Sequence, residues 1–573
     1  MTIPPVSPGA SLPIPFQPPS QPPPFGGSFR KKLSLGLAAI IATISGNAGY
    51  ALAPVFSGRS FFNRRPGFES NIAAGNVSHA TPRDYGAKGN AVTLADGAIA
   101  SGSANFTSAS AGFVPADVSK AIAVSGAGSS GHALVTLISV VNSATSVTLS
   151  APASTTVARA RADYGTDDTA AVRLCIQHST LLGGRCTIND DARFMMSNAS
   201  TTIILAGASI AGGMIDGKGT LIFAPQGSLT GGSNDRLFYA ASSEAAGPFQ
   251  AGAGPIATGA TWFPAQNSAD AAQLGQGDWV IMTEKDAGAA DVIYSDWLQV
   301  SRVVGTRVEI AGRFRMSFPN ARAFNTSGAP AACVTASPCG LSFRKLTNIV
   351  HALTIKDINI VVPNVAHGNV ANGIVTRDTR GVYIHNVTCV DESAPCYAGY
   401  LDQGLVFTDN HMNSADYPEF ASQVDTTAKG NHINQAGVGL LSYVAPQAPG
   451  LLIDFGTGFS TFDGNTIGDN LQACFTLISG VHDIWLSGNT CGRTSFGSGA
   501  ACIVSRGAYR NTIERNVCPG GDGASSVGIT VADSVGFTLN ITSSGNSVKG
   551  NTVNGYVTRY DVGGASDVLE VDH

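Results

Sequence analysis

The chain has 573 residues, of which 13% are charged and 68 are glycine, and its formal net charge is -5. Average chains carry about 25% charged residues and about 7% glycine, so a sequence this poor in Glu and Lys and this rich in Gly, Ser, Thr, Val and Asn excludes a mainly helical protein. Outside the N-terminus there is no basic cluster to meet a phosphate backbone, which excludes nucleic acid as a partner.

Residues 1–28 are Pro-rich and form a disordered extension, because PIPFQPPSQPPPFGG cannot build a packed element. Residues 29–53 have the layout of a signal peptide. Arg30, Lys31 and Lys32 precede thirteen apolar-rich residues, Leu33 to Ser45, and small residues follow at Ala48-Gly49 and Ala51. The apolar run is short of the roughly 20 residues that span a bilayer, although an uncleaved membrane anchor is the alternative. Export, with no stable membrane embedding after cleavage, places the protein as secreted, periplasmic or at the cell surface. Residues 54–80 form a linker.

Two segments then stand out, Thr81 to Asn90 (TPRDYGAKGN) and Asp163 to Asp190 (DYGTDDTAAVRLCIQHSTLLGGRCTIND). Asp167 or Asp168 serves as N-cap to a helix over Ala170–Leu181, with Val172, Cys175 and Ile176 on one side. Gly183-Gly184 ends the helix and Arg185 to Ile188 starts a strand. Together the segments resemble the N-terminal signature of the rhamnogalacturonase/epimerase-like branch of the pectate-lyase-like superfamily. The matching residues are Asp84, Tyr85, Gly86, Ala87, Gly89, Asp167, Asp168, Thr169, Ala170, Val172, Gly183 and Gly184. Cys186 and Asn189-Asp190 depart from the pattern. The resemblance implies an all-β fold, a right-handed parallel β-helix (a solenoid) over 81–573, whose N-terminal capping helix covers the open end. It also implies a polysaccharide as partner, and a homotrimer is compatible with it. It does not specify a reaction.

Between the halves of the signature, residues 90–163 read as a small all-β insertion of short Val/Thr/Ala strands, with decoration of the cap favoured over sugar binding. Residues 231–345 are the least repetitive stretch and read as irregular early rungs with large loops.

From residue 350 a repeat is visible in the residues themselves. Asn386, Asn410, Asn431, Asn465, Asn489, Asn516 and Asn551 follow short alternating strands at intervals of 24, 21, 34, 24, 27 and 35. Met412, Ile433, Ile467, Cys491, Cys518 and Val553 are then expected to point inward, with His411, His432, Thr466, Thr490 and Thr552 outward. The asparagines form an amide ladder. Cys396, Cys474, Cys502 and Ile529 make a second inward column. This register puts Cys474 beside Cys502 and Cys491 beside Cys518 on neighbouring rungs, about 4.8 Å apart. Cys333/Cys339 and Cys389/Cys396 close short loops, and Cys175/Cys186 would staple the cap. Two or three disulfides are favoured over five.

The chemistry is expected where carboxylates crowd, from Asp391 to Asp469. The densest segment, SADYPEFASQVD, supplies Asp416, Glu419 and Asp425, and Asp454 follows. These four are the catalytic candidates, since hydrolysis of a glycosidic bond needs two carboxylates. Tyr417, His411 and His432 are the substrate-binding candidates. No metal site and no cofactor are expected, with Ca2+ entering only if the reaction is an elimination. Motifs of polygalacturonases, calcium pectate lyases and alginate epimerases are not found. The leading reading is an exported enzyme cleaving an acidic or branched polysaccharide, hydrolase slightly ahead of lyase. The alternative is a non-catalytic adhesion protein that uses the coil as a stalk.

Overall fold

The computed structural model describes residues 79–570, with breaks at 198–202, 206–212, 225–234, 253, 286–291, 319–339, 364–370, 393–395, 415–417, 435–450, 469–472, 493–500, 521–526, 534–542 and 564–565. The Pro-rich extension, the signal or anchor segment and all of the linker but its last two residues lie outside the described residues. His79–Ala80, assigned to the linker by sequence, instead forms the first strand of the coil, paired with Arg185 and Cys186.

Three parallel sheets wind the chain into a right-handed β-helix. One rung shows the order. Val406–Thr408 lies in the first sheet, His411–Ser414 in the second and Glu419–Ala421 in the third, and Thr427–Lys429 returns to the first. Among the described residues the first sheet has 12 strands and the other two have 10 each. Strands of three or four residues suffice because each needs only one or two inward side chains, and the rungs above and below satisfy its backbone. The inward residues form one continuous core through the coil, from Val172 at the cap to Val553.

The corner between the first and second sheets carries the amide ladder. Asn410, Asn431, Asn465, Asn489 and Asn516 are buried, and each passes its Nδ2 to the Oδ1 of the next at 2.8–3.0 Å, ending at Asn551. Each Oδ1 also accepts the backbone N–H of the previous asparagine. The residue before each ladder asparagine turns the corner with positive φ, as at Asp409 (55°) and Gly488 (63°). One member of the sequence alignment is out by a residue. Asn386 (φ 50°) is the exposed corner residue, and Val387 occupies the ladder position, donating its N–H to Asn410. Met412, Ile433, Ile467, Cys491, Cys518 and Val553 are buried, while His411, His432, Thr466, Thr490 and Thr552 face out.

The helix α1, Thr169–Leu182, closes the start of the coil, and Gly183 ends it at φ 64°. The paired aspartates of the signature act as a clasp. Asp168 accepts from the N–H groups of Lys88 (2.7 Å) and Gly89 (2.9 Å), while Asp167 accepts from Thr169 and Ser197. Cys175 and Cys186 tie α1 to the first sheet.

The insertion is a closed antiparallel barrel spanning Val92 to Gly165 around Phe106, Ile122, Ile138 and Val147. Among the described residues of the stretch 231–345, Asp235–Ala241 is the rung strand. From Ser243 to Thr347 the chain leaves the coil and makes a six-stranded antiparallel sheet with its own core around Phe263, Met282, Phe314 and Phe343, rather than irregular rungs.

Four disulfides are present among the described residues: Cys175–Cys186, Cys389–Cys396, Cys474–Cys491 and Cys502–Cys518. Cys333 and Cys339 lie outside the described residues. Cys474 and Cys502 are rung neighbours as the register requires, since the N–H of Cys474 donates to the carbonyl of Cys502 at 2.7 Å. Their sulfurs, however, bond across the corner between the second and third sheets rather than along the stack. This spans Cα–Cα distances of 5.9 Å and 6.1 Å, inside the usual disulfide range.

Candidate functional site

Alternation along the third sheet decides which of the mid-coil side chains are available. Phe420, Ile453 and Leu477 face inward, so Tyr400, Ala421 and Asp454 face outward, paired in that order, and Ala398, Glu419 and Leu452 form the adjacent outward column. Glu419 and Asp454 therefore share one face on adjacent rungs, offset by two residues. With about 4.8 Å between strands and about 3.3 Å of rise per residue, that diagonal is about 8 Å. The Tyr400 hydroxyl donates to Oε2 of Glu419 at 2.8 Å. Asp454 is buried, and its Oδ1 accepts the N–H of Phe455 at 2.7 Å. Arg377, half-exposed, sits one rung before Tyr400 on the same column.

The other sequence candidates are dispersed. Asp425 stands at the corner between the third and first sheets with φ 60°, where its side chain is bound to Arg315 of the excursion at 2.5 Å. His411 and His432 pair across adjacent strands and stack at 4.9 Å with 2° between ring planes. They lie on the outer face of the second sheet, so the structure does not bring them onto the face that carries Glu419 and Asp454. Asp416 and Tyr417 lie outside the described residues.

Several neighbouring carboxylates hold the coil together. Asp402 is fully buried and accepts from Thr376 (2.6 Å) and Thr379 (2.8 Å). Burial pushes it up to about 7 against those hydrogen bonds. Asp463 pairs with Lys429 and Asp409 with His385 at corners.

Sequence reasoning missed a polar and aromatic seam where the excursion lies against the coil. Arg315 bridges Asp425 to Asp296, which is buried and whose carboxyl burial pushes up although Arg315 opposes the shift. Beside it His482, buried, is held low by desolvation and bonds Asp483 at 2.9 Å. Asp483 is held down at about 2 despite its burial, by the bonds from His482 and Arg510. Tyr509 stacks on His482 at 5.3 Å, and Tyr294 of the excursion closes on both. These residues come from the excursion and from three separate rungs, at Asp425, His482–Asp483 and Tyr509–Arg510, and share no motif, so nothing local announces them.

No family profile matches the sequence, and no curated protein does. Solved structures with a similar course of chain include the tailspike protein of Pseudomonas phage LKA1, with 13% identity over 73% of this chain and 72% of that one and a TM-score of 0.38. A surface adhesin of Streptococcus pneumoniae has 9% identity over 71% and 79% and a TM-score of 0.40. The A-module of a mannuronan C-5 epimerase of Azotobacter vinelandii has 11% identity over 71% and 96% and a TM-score of 0.29. Likeness at this level concerns fold alone.

Proposed function

We propose that the protein is an exported polysaccharide hydrolase and that Glu419 and Asp454 are its catalytic pair. The observation supporting this is their placement on adjacent rungs of one sheet face, with a backbone diagonal of about 8 Å between them, near enough for two carboxyls to act on one glycosidic bond as hydrolysis requires. Asp454, the more buried of the two, is assigned the role of acid for the leaving oxygen. Glu419, whose carboxylate the Tyr400 hydroxyl supports, is the base that activates water. Of the residues on that face Arg377, Tyr400 and Glu419 are the accessible ones, while Ala398, Ala421, Leu452 and Asp454 are buried, and Arg377 favours an acidic polymer. No cofactor is part of the proposal.

The test incubates the purified protein with acidic and neutral polysaccharides, with and without calcium, and follows reducing ends and the absorbance of unsaturated uronates. Reducing ends alone, lost in both Glu419→Gln and Asp454→Asn, are expected. Full activity in both variants would overturn the pair, and absorbance growing with the reducing ends would replace hydrolysis by elimination. Binding to a polymer that is never cut would favour the adhesion reading.

A further inference from the structure

A cleft of about 640 Å³ opens where the excursion meets the corner between the third and first sheets in the early rungs. Asp278, Trp279, Asn348, Ile349, His351 and Arg380 are among its lining residues. The guanidinium carbon of Arg380 lies 3.6 Å from the centroid of the Trp279 ring, and its Nε donates to Gln403 at 2.9 Å. Trp279 packs at 6.3 Å against Trp297, whose indole N–H is anchored on the carbonyl of Leu401 at 2.9 Å. The wall is therefore fixed from both sides. The other charges near the cleft are matched, since Asp278 holds Lys345 at 2.7 Å and the N–H of Gly275 at 2.6 Å. Among the described residues, no carboxylate stands within ion-pair distance of Arg380, although its surroundings are dry enough to depress it through desolvation.

A half-buried guanidinium without an acid leaves its outer N–H edge as a planar donor suited to a carboxylate. The volume lies within the about 300–1,000 Å³ of sites for small organic ligands, which is more than a simple ion fills. Asn348 and His351 offer partners for hydroxyls, and the indole offers an apolar edge for a pyranose ring. We propose that this cleft binds an acidic sugar, with the carboxylate of a uronate residue on the Nη edge of Arg380. It is a binding subsite separate from Glu419 and Asp454. It rests on the polysaccharide reading for the polymer that carries the uronate, but not on cleavage.

The experiment titrates the full chain carrying Glu419→Gln, which stops turnover under the proposed mechanism, with oligogalacturonates and oligomannuronates, neutral gluco-oligosaccharides, acetate and inorganic phosphate. Calorimetry and tryptophan fluorescence are the readouts. Uronate oligomers are expected to bind with quenching. Neutral oligomers and free anions should bind at least about tenfold more weakly, and Arg380→Met and Arg380→Gln should cost about tenfold in affinity with unchanged circular dichroism. Trp279→Phe should remove the quenching. Wild-type affinity in the Arg380 variants, equal affinity for acetate or phosphate, or no uronate binding at all would overturn the proposal. Should both Arg380 variants lose the native spectrum, salt dependence decides: uronate affinity that is flat between low and high ionic strength refutes a charge-paired site. Because cleavage is read separately, failure of the catalytic pair leaves this result interpretable, and the reverse holds too.

Discussion

Replacing Asn465 by Ala removes a central member of the ladder, and the cost follows from its bonds. Its Nδ2 donates to the carbonyl of Ala428 at 3.0 Å and to Oδ1 of Asn489 at 2.9 Å. Its Oδ1 accepts the N–H of Asn431 at 3.0 Å and the Nδ2 of Asn431 at 2.8 Å. The substitution orphans the buried N–H of Asn431, at about 1–3 kcal/mol, and removes three further bonds at about 0.5–1.5 kcal/mol each, for a total of about 2.5–7.5 kcal/mol. Asn551→Ala, at the half-buried end of the ladder, should cost about half as much. Asn386→Ala should cost about 1–2 kcal/mol, chiefly from placing Ala at φ 50°, since its amide is exposed and donates to Asp357 at 2.8 Å. Urea unfolding followed by circular dichroism gives the series, with limited proteolysis to detect rungs that open separately, as solenoids allow. The register would be refuted if Asn386→Ala destabilised as much as Asn465→Ala.

Two other perturbations check the coil. Asp402 is raised to about 7 in the folded chain against about 3.9 unfolded. The folded state therefore holds the extra proton between these values, and stability should fall as pH rises from about 4 to about 7, by an amount on the order of a few kcal/mol. Asp402→Asn should flatten that slope in urea midpoints taken at pH 5 and 8, and an unchanged slope would assign it to other groups. Peptide mapping without reduction should recover Cys474 linked to Cys491 and Cys502 to Cys518, not Cys474 to Cys502. Each of those loops encloses 17 or 16 residues and should stabilise by about 3 kcal/mol in the chain-entropy account, a loss read as a lower urea midpoint after reduction.

The ladder was legible in the sequence because an asparagine with an apolar residue two places on recurs once per rung, and a rung cannot change its corner without exposing its core. Asn386 was misplaced for a related reason. At that corner an asparagine fills the positive-φ position that Asp409 or a glycine fills elsewhere, and residue type alone does not separate the two neighbouring positions. The cap was legible through Asp168, whose bonds to backbone N–H groups of residues about 80 positions away demand a carboxylate at a fixed place, and through Asp167, which bonds the N–H groups of Thr169 and Ser197. The disulfide partners were not, because stacked cysteines and corner-spanning cysteines occur at the same register. Only the direction of the Cβ atoms tells them apart.

The candidate site was half legible for a geometric reason. In a coil, chain neighbours such as Glu419 and Asp425 are sent to different places, one to an outer face and the other to a corner, since only six residues carry the chain from the middle of one sheet past the turn. Residues that meet are a whole rung apart, and the rung length varies with the loop between the second and third sheets. Asp454 shares the face of Glu419 because Ala421 pairs with Asp454 across the rungs. A cluster of carboxylates in the sequence therefore marks a stretch of coil, but which of them share a face is decided by cross-rung register. The same logic explains why the seam at Arg315 left no trace in the sequence. Its partners Asp296 and Asp425 are brought together by the docking of an antiparallel sheet whose spacing has no fixed relation to the rungs.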